Sequence, residues 1–155
     1  SRLTDFRTLM TGELYELLAE RSILRHTVAS GEWSDEDFAS AVTEAFAAPA
    51  KALAGLFALR AGPLLFGRDS QTGAARLSGL LIGAELAIGL EEHGREPLTL
   101  AASDGAADRY LAACTLLNIT CRQIDAEAAV RDGLYALASK IWPEHTLGGD
   151  RHDRT

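Results

Sequence analysis

Sulfur, basic runs and long apolar runs are all scarce in this sequence, and each scarcity closes off a class of function. Only two cysteines occur, Cys114 and Cys121, seven positions apart and in no C-x-x-C pair. That spacing predicts two reduced, partly buried thiols rather than a disulfide or a metal site. No run of Lys or Arg appears, and the formal net charge is −7, so no global field draws nucleic acid or an anionic membrane. The longest apolar stretch, Leu77 to Leu90, carries Glu85 and reads as too short to cross a bilayer. No signal-peptide pattern opens the chain, and the cytoplasm is the expected compartment. No G-x-x-x-x-G-K-[ST] loop is present, which excludes a P-loop enzyme. The four histidines, His26, His93, His145 and His152, are scattered without metal-ligand spacing and read as surface residues. Ser103 has no neighbouring His/Asp arrangement of the hydrolase kind. The only methionine is Met10 and the chain opens at Ser1, a pattern that predicts truncation or processing.

What remains is ample apolar material: 155 residues, 47% hydrophobic, enough for one domain with its own core. The segment RLTDFRT reads as a short strand. MTGELYELLAERSIL reads as a helix with Leu14, Leu17 and Leu18 on one face, Thr11 as N-cap and Glu13 in the first turn, where the helix dipole favours an anion. Ser34 and Asp37 form a helix start signal. Phe38, Ala41, Val42, Ala45 and Phe46 then make the clearest amphipathic stripe in the chain. Pro49 opens or breaks the next helix, which is expected to end near Gly62 and Pro63. A long helix is expected from about Ala74 to Glu92, with Leu77, Leu80, Leu81, Ala84 and Ile88 buried. Within it Gly79, Gly83 and Ala87 recur every fourth residue. Glycine inside a helix costs about 1 kcal/mol against alanine, so this row predicts close approach by a helix, a strand or a ligand. LTLAAS and ITCRQI read as strands joined by a helix that Asp104 caps and Asn118 ends, with Tyr110, Cys114 and Leu117 inward. Asp125 caps a last helix with Val130, Leu134, Leu137 and Ile141 on its apolar face. Trp33 and Trp142 read as core or rim residues.

The predicted order is strand, four helices, strand, helix, strand, helix. Residues 98–124 should form a parallel strand–helix–strand unit. Two or three parallel strands leave open edges and uncovered faces, so the sequence reads as an incomplete α/β domain.

The segments DFRTLMTGELYELLAERSIL, RLSGLLIGAEL, LTLAASDGAADRYLAA and VRDGLYALA, in this order, resemble the 2-dehydro-3-deoxygalactonokinase family from about Asp5 to Leu137. The resemblance implies an actin-like ATPase (ribonuclease H-like) fold of two lobes that close on ATP and a sugar acid. The γ-phosphoryl group passes to the 6-hydroxyl of a 2-keto-3-deoxy sugar acid in galactonate breakdown, with ATP and Mg²⁺ as cofactors. It begins downstream of both of the family's phosphate-binding loops. Residues 1–147 are therefore expected to be the carboxyl-terminal, nucleotide-side lobe, inactive alone, and 148–155 a frayed polar tail.

Two segments are the expected nucleotide contacts, and each has a plainer reading. Thr11, Gly12 and Glu13 could present free N–H groups and a carboxylate to the phosphates and Mg²⁺, or be only a helix start. Ala102, Ser103, Asp104 and Gly105 occupy the place of the turn that approaches adenosine in actin-like kinases, or are only a capped βα loop. Ala102 stands where glycine is commoner and narrows that turn. A third candidate is the helix of Gly79, Gly83 and Glu85, whose small face could lie beside adenine or simply pack. Glu85, on or near a mostly apolar face, is expected to pair with an arginine such as Arg76 or Arg109, or to face the cleft. A different class of function is a stand-alone helical α/β module that forms a homodimer without catalysis.

Overall fold

The computed structural model describes residues 9–28, 33–66, 72–93, 97–102 and 104–142. The expected strand at RLTDFRT, the helix stop at Gly94, the residue Ser103 and the polar tail lie outside these. Helix α1 spans Thr11–Glu16 and continues as a π turn over Leu17–Arg21. Its N-cap is Met10 rather than Thr11, because the Leu14 amide already bonds the Met10 carbonyl at 2.7 Å. A short α2 covers Arg25–Val28. Helix α3, Asp35–Ala47, starts as expected, with the Ser34 hydroxyl accepting from the Asp37 amide at 3.2 Å. Pro49 opens a 3₁₀ turn, Pro49–Lys51, which leads into α4, Ala52–Phe66. The expected stop near Pro63 does not occur. Proline removes one backbone donor, and the buried Leu56 and Leu59 hold the preceding turns in place.

Helix α5, Gly73–His93, is the spine of the molecule. Its apolar residues are spread around the helix because both sides are covered. On one side Leu77 and Leu80 join Leu24, Ala41, Ala45, Leu56 and Leu59 in a first cluster. On the other, Ala75, Ile82 and Leu86 join Phe38, Val42, Ala113 and Cys114 in a second. The single buried face expected for this helix was too narrow: Leu81, Ala84 and Ile88 are only half-buried, whereas Ala75, Ile82 and Leu86 are buried. By length and composition residues Gly73–Glu91 could cross a membrane, but here they form the covered core helix.

The group that approaches the glycines is α3. A Cβ at Gly79 would stand 2.6 Å from the Phe38 carbonyl oxygen and 2.8 Å from the Ala41 Cβ. At Gly83 it would stand 3.0 Å from the Val42 Cα. Both glycines therefore serve helix packing and do not face a ligand.

Strands β1, Leu98–Ala101, and β2, Cys121–Ile124, pair in parallel with Leu98 opposite Cys121 and Ala101 opposite Ile124. Helix α6, Asp104–Leu116, is their crossover, and Asn118 ends it at φ 54°. Asp104 is the first residue of α6. Burial, with the neighbouring Cys121 thiol, pushes the Cys114 thiol up to about 12, which keeps it protonated and unreactive at neutral pH. Helix α7, Ala126–Ile141, is capped by the Asp125 carboxylate, which accepts from the Ala128 amide at 3.0 Å. Its apolar face is as expected in sequence, yet Val130 and Leu134 are each 62% exposed. No other described element packs substantially on it.

Candidate functional site

Helix α1 and the first half of α6 stand side by side on α5 and leave between them a largely apolar cavity of about 250 Å³. Thr11 and Gly12 line it from α1, Leu81 and Ile82 from α5, and Ala106, Arg109 and Tyr110 from α6. Two of the sequence-predicted contacts, Thr11 and Gly12, thus reach one cavity, and Gly105 directly precedes a third lining residue. Gly12 and Gly105 face open space: a Cβ at either would meet nothing within 4 Å. Glu13 lies in the first turn of α1 and is exposed. Ala102 is half-buried at the end of β1. Ser103 and the side chain of Asp104 lie outside the described residues.

The partner expected for Glu85 is not an arginine. Its carboxylate accepts a hydrogen bond from the Tyr110 hydroxyl, which joins α5 to α6. Arg76 is occupied elsewhere, by Glu44 at 3.2 Å and Asp37 at 3.8 Å. The phenol of Tyr110 is held well above its usual 10.0, first by burial and then by the hydrogen bond and charge of Glu85; the Thr11 hydroxyl partly offsets this. The Tyr110 side chain therefore stays a neutral donor throughout the physiological range.

Arg109 lies over two rings, 4.7 Å from the centroid of Trp33 and 5.5 Å from that of Tyr15. Trp33 is itself held, its indole N–H donating to Asp35 at 2.7 Å and its ring packed on Phe38 at 5.4 Å. Trp33, 40% exposed and packed on the buried Phe38, is a rim residue as expected, and its ring also carries the Arg109 guanidinium. In the sequence Arg109 stands out only as a partner for Glu85, and Tyr110 only as a core residue. The signal that could have found them is their position one turn into the helix that follows the Ala102–Gly105 turn.

A second cavity of similar volume, between α3, α4 and α5, contains Arg76 with Asp37 and Glu44. Its cation is already neutralised. Among the described residues no group of three His, Cys, Asp or Glu is arranged to hold a metal. A Mg²⁺ carried on phosphates needs only one or two protein carboxylates, and Glu16 on the cavity wall is compatible with that.

The family model for 2-keto-3-deoxy-galactonokinase matches residues 1–137. The chain is 39% identical over 146 residues to "Probable 2-dehydro-3-deoxygalactonokinase DgoK1" of Rhizobium meliloti (strain 1021), covering 92% of this chain and 48% of that protein. It is 30% identical over 141 residues to the 2-dehydro-3-deoxygalactonokinase of Escherichia coli K12, covering 90% and 48% respectively. The crystal structure of a candidate 2-dehydro-3-deoxygalactonokinase from Sinorhizobium meliloti superposes with a TM-score of 0.78 at 39% identity, over 90% of this chain and 48% of that one. The chain spans about half the length of the relatives it matches, and its helix-rich fold with a two-stranded parallel sheet matches part of that crystal structure. A family match over residues 1–137, with two relatives at 30% identity or above, places this chain in the 2-dehydro-3-deoxygalactonokinase family.

Proposed function

We propose that this chain is the carboxyl-terminal, nucleotide-side lobe of a cytoplasmic sugar-acid kinase that transfers the γ-phosphoryl group of ATP to the 6-hydroxyl of 2-dehydro-3-deoxy-galactonate. The observation that carries this reading is the family match over residues 1–137, which runs through both segments that line or flank the cavity. In this reading Thr11 and Gly12 offer backbone N–H groups to the phosphate tail at the start of α1, with Glu13 toward the metal. The Ala102–Gly105 turn approaches adenosine. Mg²⁺, when bound, neutralises charge developing on the phosphoryl oxygens. The sugar acid and the base that accepts its hydroxyl proton belong to the other lobe, so the chain alone binds nucleotide without turning it over.

Calorimetric titration with Mg²⁺·ATP tests the first part, and ADP release in the presence of the sugar acid tests the second. Millimolar ATP binding without turnover is the expected result. Robust sugar-acid-dependent turnover by the chain alone overturns the lobe assignment.

The alternative, a non-catalytic dimerisation module, draws on one observation: Leu53, Phe57, Leu64 and Leu65 of α4 are all more than 60% exposed. Light scattering on the eluting protein distinguishes the readings. A tight dimer without nucleotide affinity favours the module.

A further inference from the structure

We propose that Arg109 is the anion-binding residue of the cavity between α1 and α6, and that the anion is the phosphate tail of a nucleotide. The inference rests on the nucleotide-lobe reading for the ligand's identity, but the arginine's readiness for an anion does not.

The Arg109 guanidinium is held in position by the rings of Trp33 and Tyr15. Such contacts use the flat faces of a guanidinium and leave its N–H edge free. Among the described residues that edge has no counter-ion: Arg109 forms no ion pair with any of them, whereas Arg76, on the neighbouring helix α5, has two acidic partners. The acid that could have neutralised it, Glu85, is taken by the Tyr110 hydroxyl. Arg109 is half-buried and lines a cavity whose walls are mostly apolar. A charge left unpaired in such a place is poorly solvated and gains from an incoming anion.

The mounting also needs explanation. Trp33 is fixed by its hydrogen bond to Asp35 and its packing on Phe38, so α1, through Tyr15, and the start of α3, through Trp33, converge on one side chain that pairs with no acid among the described residues. A guanidinium edge matches two phosphate oxygens at once, a geometry that lysine cannot reproduce. An apolar cavity of about 250 Å³ beside it suits a base or ribose better than a bare inorganic ion. Glu16, on the same wall, opposes an anion that carries no Mg²⁺ and sets the sign of a control run without the metal.

The test reads Trp33 fluorescence in the full chain carrying W142F, which removes the exposed second tryptophan. ATP, pyrophosphate, adenosine and galactonate are titrated separately, and calorimetry is run in parallel. ATP and pyrophosphate are expected to change Trp33 emission saturably. R109A should weaken both roughly ten-fold or more, as loss of a charge-assisted pair implies. R109K should fall between, and E16Q should tighten binding about two-fold, the order expected for one charge across water. Thermal melts of each variant identify any that are unfolded, and the R109K and E16Q shifts then decide alone. If pyrophosphate binds and ATP does not, the anion site stands and the nucleotide reading fails. If ATP binds equally well in R109A, the nucleotide reading stands and the Arg109 site is overturned. A response to galactonate alone, or to none of the four, also overturns it.

Discussion

Glu85 interrupts the core helix α5, and the residue that satisfies it is a phenol on the next helix. A hydrogen bond to a charged group in a half-buried position is worth roughly 1.5–3 kcal/mol. Y110F is therefore expected to destabilise the fold by about that amount, because it leaves the carboxylate without its donor. E85Q should cost less, since an amide oxygen still accepts. The pH dependence follows from the raised phenol. A proton held more tightly in the folded state stabilises the fold below the unfolded value of 10.0, and that contribution is lost as pH climbs above it. Urea melts of the parent between pH 8 and pH 11 should show the loss, and Y110F should lack this component. The need for a partner at Glu85 was legible in the sequence, because a lone carboxylate among leucines and glycines is costly. The choice of partner was not. Arg76, Arg109 and Tyr110 all lie within chemical reason, and only the crossing of α5 by α6 selects the phenol.

Among the elements, the crossing of α3 over α5 is the tightest. G79A replaces a hydrogen with a methyl group where the Phe38 carbonyl already sits. Alanine gains about 1 kcal/mol of helix propensity, but overpacking against backbone costs typically 1–3 kcal/mol, so the net effect is destabilising. G89A lies in the same helix with nothing within 4 Å of the new methyl and should stabilise by roughly 0.5–1 kcal/mol. Opposite signs in paired denaturant melts check the argument; equal signs refute it. The fourfold spacing of small residues announced close packing, and the stripe Phe38, Ala41, Val42, Ala45 and Phe46 announced a buried helix. That these two features face one another needed the tertiary structure. The caps at Ser34 and Asp125 and the left-handed Asn118 were readable because each depends on a few adjacent residues. The continuation of α4 past Pro63 was not, since packing on α5 outweighs a local breaker.

At the scale of the whole molecule, order is unevenly distributed. The two core clusters enclose α5, while α7 stands apart with Tyr135 and Trp142 also more than half exposed. Backbone amides of α7 are expected to exchange with deuterium far faster than those of α5, despite the sound cap at Asp125. Mass-spectrometric exchange on peptides from the two helices measures this. Comparable protection would mean that α7 is covered in solution.

One arrangement already described limits how this protein can be dissected. Leu77 and Leu80 serve one cluster, and Ala75, Ile82 and Leu86 of the same helix serve the other. A piece stopped at Phe66 would lose the leucines on which Leu56 and Leu59 rest. A piece begun at Gly73 would lose Phe38 and Val42. Neither excerpt keeps a dry interior, so the spine and both of its flanks must be made together or not at all.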